Sequence, residues 1–129
     1  MLHHASQVPL HPTVVAHQTQ LLVCNIAYLL KFTRLMLRLS LDEAEALIGM
    51  KENTLWRIES GGQCFTIKTI MPILLAYGLS YSQVFRHYTK LPTATEWKKL
   101  AKMQKQLIRY KKSKKKRKPQ TGVQLVLLF

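Results

Sequence analysis

The pattern of hydrophobic and polar residues along this chain mainly predicts helices. Apolar residues repeat with helical spacing, and no segment alternates with a period of two for long enough to form a strand. The predicted helices cover residues 18–38, 41–48, 51–59, 70–77, 81–88 and 94–112. The sequence therefore predicts an all-α protein.

Three helix starts carry a capping box, in which a hydroxyl caps a backbone N–H and the acid or amide three residues later returns the bond. The pairs are Ser40 with Glu43, Ser80 with Gln83 and Thr93 with Glu96. The fourth helix has two candidate caps, Thr66 and Thr69. A start after Thr69 places Pro72 in the first turn, where its missing N–H costs little, so we expect that later start.

The first helix, residues 18–38, follows a segment of different character. Residues 1–17 hold two prolines and no helical period, which predicts a flexible arm. Its histidines have no cysteine or carboxylate at ligand spacing, so no metal site is expected. The expected core stripe of the helix is Leu22, Ile26, Leu30 and Leu37. Further apolar surface, from Phe32, Leu35 and Met36, fits either a helix covered on two sides or a subunit contact.

The centre of the chain predicts two short helices joined at Gly49. Ala44, Leu47 and Ile48 share one face of the first helix, and the glycine suits a left-handed turn. In the second helix, Leu55 and Ile58 point inward. The outer side carries Glu52, Asn53, Trp56, Arg57 and Ser60. Two short helices around a glycine turn, the second with a polar outer face, are typical of a helix-turn-helix.

The stretch "SLDEAEALIGMKENTLWRIESG" resembles the Xre/Cro-type helix-turn-helix of prokaryotic and phage repressors. The resemblance runs from about Ile26 to Phe85 and includes the turn glycine, "RIESG" and "YGLSYSQVF". It implies a compact five-helix, lambda-repressor-like domain over residues 18–90, with helix 51–59 in the major groove. It also implies an internal ion pair between Arg34 and Glu59.

The same resemblance implies that the outer face of helix 51–59 reads base edges. The candidate base contacts are Lys51, Glu52, Asn53 and Arg57. Glu52 has an equal alternative, which is to stabilise the helix dipole. Trp56 fits either a thymine methyl or sugar contact, or packing against a neighbouring helix or partner domain. The size of its indole favours packing.

Two positions depart from the family pattern. Glu45 stands where the family usually has alanine, so Ala44 or Ala46 would take the packing role, with a slightly shifted helix. Leu41 stands where Gln or Thr often holds a phosphate, which implies one fewer backbone contact.

The net charge of +14 indicates a negatively charged binding partner. Residues 1–90 hold 8 basic against 5 acidic residues, whereas residues 91–129 hold 12 against 1. Such a balance favours nucleic acid first and an anionic membrane second.

The basic excess lies in a predicted amphipathic helix, residues 91–112, and a tail, residues 113–129. The apolar face of the helix, which would dock on the domain or pair with its twin, is Trp97, Leu100, Ala101, Gln104, Leu107 and Ile108. The run "KKSKKKRK" over residues 111–118 is too dense in charge to be ordered alone, so we expect a disordered tail. The tail would either add sequence-independent affinity for DNA or RNA, or only increase the solubility of the protein. The terminal "VQLVLLF" fits a membrane or protein contact, a strand or an unstructured end.

The candidate contacts with the DNA backbone fall in two places. Gln63, Thr66 and Lys68 lie in or after the loop that follows helix 51–59. The others, in the basic run, are Lys111, Lys112, Lys114, Lys115, Lys116, Arg117 and Lys118.

No set of residues resembles a catalytic site, so neither an enzyme nor a cofactor is expected. The two cysteines lack metal-type spacing and the N-terminus lacks signal-peptide order, which favours a reduced cytoplasmic setting. The first hypothesis is a DNA-binding regulator that acts as a homodimer on double-stranded DNA. The second is an RNA- or membrane-associated adaptor, in which the helices bind protein and the basic tail does the nucleic-acid or membrane binding.

Overall fold

A computed structural model describes residues 9–61, 65–86 and 90–116, and these residues form helices and connecting turns without a strand. The helices are α1 (Pro12–Met36), α2 (Leu41–Ile48), α3 (Thr54–Glu59), α4 (Ile67–Tyr77), α5 (Tyr81–Val84) and α6 (Ala94–Lys116). The all-α class is therefore confirmed. The bounds of α2 agree with the prediction, and α5 ends before the predicted residue 88.

The N-terminal part of α1 corrects the prediction of a flexible arm. The helix begins at Pro12, so residues 12–17 are helical, and residues 1–8 lie outside the described part. The His11 side chain accepts a hydrogen bond from the backbone N–H of Thr13 at 3.2 Å. Pro12 occupies the first turn, where a proline loses no helical hydrogen bond. The proline thus starts the helix instead of preventing it.

The start of α4 is also earlier than predicted. The hydroxyl of Thr66 accepts the backbone N–H of Thr69 at 3.2 Å, and the helix begins at Ile67. The predicted cap at Thr69 is therefore wrong, and Pro72 lies inside the helix on its exposed side. One lost hydrogen bond on the solvent side is outweighed by the burial of the apolar residues on the opposite face. Those residues are Ile70, Ile73 and Leu74.

The three predicted capping boxes are present. The Ser40 and Glu43 exchange is closed at both ends, with distances of 3.1 and 2.9 Å. The corresponding exchanges join Ser80 to Gln83 and Thr93 to Glu96. These boxes fix the starts of α2, α5 and α6, because each satisfies backbone donors that the helix itself leaves unpaired.

The main core lies among α1 to α5. Its buried residues include Ile26, Leu30, Ala44, Leu55, Ile58, Ile70, Ile73, Leu74 and Val84. The predicted core stripe of α1 is wrong at two positions, because Leu22 is 38% exposed and Leu37 is 41% exposed. Leu21, Ala27 and Leu35 are buried in their place.

A second core cluster joins α1 to α6. Its buried residues are Leu35, Leu100 and Leu107, with Tyr28, Phe32, Trp97, Met103 and Tyr110 packed against them. Phe32 and Leu35 are therefore covered by α6, which docks on the domain, whereas Met36 is 62% exposed. Two residues of the predicted face of α6, Ala101 and Ile108, are exposed instead, since the buried face includes Met103.

By length and composition, α1 is long and apolar enough to cross a membrane. The share of its most apolar window buried in the structure is 22%. Its C-terminal half nevertheless lies between the two core clusters and contains the buried Arg34. In this structure α1 is the central helix of the domain.

The structure contains the ion pair between Arg34 and Glu59. The Arg34 side chain is 1% exposed, and its Nε and Nη2 donate to the two carboxylate oxygens at 2.7 and 2.9 Å. Its Nη1 donates to the carbonyl of Leu39 at 2.8 Å, and Nη2 lies 3.4 Å from Oε1 of Gln104. A single guanidinium therefore connects α1, α3, α6 and the turn before α2.

We predict that Arg34→Met lowers the free energy of unfolding by about 3–5 kcal/mol, because it leaves the Glu59 carboxylate buried without a partner. Chemical denaturation followed by circular dichroism measures this change. The matched control is Lys31→Met, which removes one charge from the same helix and should cost about 0.5 kcal/mol. Equal stability of the two variants would contradict the structural role of the pair.

Candidate nucleic-acid interface

The connection between α2 and α3 runs from a glycine that ends α2 to an asparagine at the N-cap of α3. Gly49 adopts φ 85°, and its N–H bonds to the carbonyl of Glu45 at 2.8 Å. Asn53, with φ 68°, is the N-cap position of α3. Because a left-handed residue cannot continue a right-handed helix, α3 begins at Thr54 and the predicted start at residue 51 is wrong. Asparagine tolerates this conformation better than most residues.

The four candidate base contacts are all exposed. Lys51, Glu52 and Asn53 lie in the turn, and Arg57 lies on the outer side of α3. All four are exposed, whereas Leu55 and Ile58 of the same segment are buried. We call Lys51, Glu52, Asn53, Trp56 and Arg57 the α3 surface.

Trp56 belongs to the α3 surface because it does not pack on this domain. Its side chain is 57% exposed, so the interpretation that it packs against a neighbouring helix of the chain is wrong. The adjacent Leu55 is fully buried and occupies the inward position. Successive residues of a helix point about 100° apart, which allows Trp56 to face outward while Leu55 faces inward.

Glu45 has a role that its departure from the family pattern did not reveal. It is buried, and its Oε2 accepts the backbone N–H of Leu55 at 3.0 Å. This bond satisfies one of the donors at the start of α3, where the Asn53 side chain makes no capping bond. Ala44, fully buried, takes the packing role, whereas Ala46 is exposed.

Tyr77 lies close to these buried charges. Its hydroxyl has no hydrogen-bond partner in the described part of the chain. Burial, together with the nearby Glu59, raises the pKa of Tyr77 well above its usual range. The phenol therefore stays neutral and adds no charge to the buried group around Arg34.

The candidate backbone contacts in the loop after α3, and Leu41, lie apart from the α3 surface in the sequence. Thr66 caps α4 and Lys68 lies in its first turn, both exposed, while Gln63 lies outside the described residues. No hydrogen bond or ion pair in the described part joins Thr66 or Lys68 to the α3 surface. Leu41 is half-buried and packs against the main core.

The start of the basic run is ordered, which corrects the prediction of a disordered tail from residue 113. Helix α6 continues to Lys116, beyond the predicted end at residue 112, whereas Arg117, Lys118 and the rest of the tail lie outside the described residues. Lys111 forms an ion pair with Glu43 of α2. Docking of the apolar face and this pair hold the helix although the lysines repel each other.

The charges at this junction shift two pKa values. Burial opposes ionisation of Glu43, but hydrogen bonds from Lys111 and Ser40 outweigh it and keep the pKa of Glu43 below its usual value. The nearby Arg38 guanidinium and the charge of Lys114 lower the pKa of Tyr110, against the effect of its burial. Both shifts reflect an excess of positive charge where α6 meets the turn before α2.

Among residues 9–61, 65–86 and 90–116, no group of three histidine, cysteine or acidic side chains is arranged to hold a metal ion. The candidate interface therefore offers hydrogen-bonding and charged groups. No protein-family model, curated protein or solved structure matches this chain.

We predict that Glu45→Ala destabilises the domain by about 1–3 kcal/mol, because the N–H of Leu55 is left buried without an acceptor. Thermal and denaturant unfolding measure the loss. Glu52→Ala is the matched control, since it removes one acid from the exposed turn and should change stability by about 0.5 kcal/mol. A loss no larger than that of the control would argue against the capping role of Glu45.

Proposed function

We propose that the chain is a sequence-specific DNA-binding regulator, with α2 and α3 as a helix-turn-helix and the α3 surface in the major groove. The observation that carries this proposal is a six-residue helix whose inner side is fixed by two buried carboxylates while Trp56 and Arg57 on its outer side are exposed. A helix held in this way can present its side chains to base edges in a defined position.

The chemistry of the α3 surface suits base recognition. Arg57 and Lys51 can donate to O6 and N7 of guanine, Asn53 can pair with adenine, and Glu52 can accept from N4 of cytosine. Trp56 returns as a candidate contact because it is exposed, and its indole can touch a thymine methyl or a sugar.

Two copies of the chain would read two half-sites. A homodimer places its recognition helices in successive major grooves, about 34 Å apart along the duplex. We propose this arrangement, in a cytoplasmic nucleoid-associated setting, as part of the regulator function.

The second candidate function is an adaptor that uses the basic end of α6 to bind RNA or an anionic membrane. The concentration of positive charge in residues 91–129 favours it. In that case the helices would bind a protein partner, and changes in the α3 surface would leave nucleic-acid binding unaltered.

We predict that Arg57→Ala and Asn53→Gly each reduce the discrimination between a selected operator and random duplex DNA by about 1–3 kcal/mol. Glycine is the better substitution at residue 53, because it removes the side chain and keeps the left-handed backbone of the N-cap. Fluorescence anisotropy titrations with both duplexes measure the ratio.

The matched control is Arg109→Ala, which removes one exposed arginine from α6. It should lower the affinity for both duplexes equally and leave the ratio of the two affinities unchanged. If Arg57→Ala and Asn53→Gly also leave the ratio unchanged, the regulator proposal is wrong.

A further inference from the structure

We propose that the last turns of α6, residues 111–115, are a rigid second contact with the phosphate backbone of duplex DNA, positioned beside the start of α2. This inference rests on the proposed function and adds to it a defined location for this second contact. The basic end would then act through a fixed geometry and not as a flexible tail.

The docking of α6 fixes where this contact lies. Gln104 approaches Arg34, Leu107 is buried against α1, and Lys111 pairs with Glu43 in the first turn of α2. These three positions follow one face of the helix at intervals of three and four residues. The next turn of the same face carries Lys114 and Lys115, so both lie just beyond the turn that precedes α2.

The turn before α2 contributes a further cation in an unusual conformation. Arg38 has φ 58°, in the region where glycine is favoured, and its N–H bonds to the carbonyl of Leu35 at 3.0 Å. Its guanidinium carbon lies 4.9 Å from the ring centroid of Tyr110, and Nζ of Lys114 lies 5.7 Å from that centroid. The tyrosine ring thus brings together two cations from separate elements.

The charge of this surface is largely uncompensated. The ion pair with Glu43 uses Lys111, and no other ion pair involves a lysine of residues 111–115 in the described part. Cations gathered without an equal number of acids repel each other, and a row of phosphates relieves that repulsion while releasing its own counterions.

Duplex DNA suits this surface better than a membrane. An amphipathic helix binds a membrane by inserting its apolar face, but the apolar face of α6 is buried against α1 through Leu100 and Leu107. Membrane binding would first require α6 to leave the domain. A phosphate backbone needs only the exposed Lys112 and Lys115 and the half-buried Lys114, and the proposed reading helix already places a duplex next to α2.

The test compares charge-preserving and charge-removing variants of the full chain. Ser113→Pro breaks α6 in the turn that precedes Lys114 while retaining every lysine, and Ser113→Ala is its control. Lys114→Gln with Lys115→Gln removes two charges. Lys98→Gln with Lys99→Gln removes two exposed charges about 24 Å away along the same helix. Affinity for a random-sequence duplex is measured over a series of salt concentrations.

We expect the double variant at residues 114 and 115 to reduce the slope of log affinity against log salt by about 1.8, since each phosphate contact contributes about 0.9. Ser113→Pro should produce a similar reduction without any change in charge. Ser113→Ala and the pair at residues 98 and 99 should keep the wild-type slope. Unchanged thermal unfolding of Ser113→Pro confirms that the domain is intact.

Equal slopes for Ser113→Pro and Ser113→Ala would overturn the rigid contact and leave a flexible tail. Binding of every variant to phosphatidylserine vesicles at the concentrations that bind the duplex would overturn the choice of duplex DNA over a membrane. The proposed function fails separately, because it is judged by the discrimination ratio of Arg57→Ala and not by the salt slope.

Discussion

The structure depends on one buried guanidinium. Arg34 donates to both oxygens of Glu59, to the carbonyl of Leu39 and, at a longer distance, to Gln104. Removing two charges from water is costly, and several short hydrogen bonds are needed to offset that cost. Because these bonds lead to α3, to the turn before α2 and to α6, the position of each element is tied to the same side chain. The ion pair therefore supplies alignment as much as stability.

The candidate interface follows from that alignment. Helix α3 has only six residues, which is too short to be stable alone in water. Glu59 anchors its end to α1, and the carboxylate of Glu45 holds its start against α2. With both ends fixed from inside, Trp56 and Arg57 are left on the outside. The proposed contact at the end of α6 uses the same arrangement, since Glu43 holds Lys111 beside α2.

The features that were predictable from sequence are mostly local. The box at Ser40 was readable because its partner lies three residues away, and Arg34 and Glu59 were implied by the resemblance. The helical start at Pro12 was missed because a proline was taken as a break, although it also suits a first turn. The contact of Glu45 with Leu55 and the exposure of Trp56 depend on how α2 and α3 pack, which spacing along one chain does not determine.

The central claim is that the α3 surface reads a DNA sequence. Selection of the full chain against a pool of random duplexes, carried out at two salt concentrations, tests it most directly. The account predicts one enriched motif at both salt concentrations, while the overall affinity falls steeply with salt because of the basic end. An unenriched pool at both concentrations, with strong salt-dependent binding throughout, would contradict sequence reading by α3 and would favour the adaptor function.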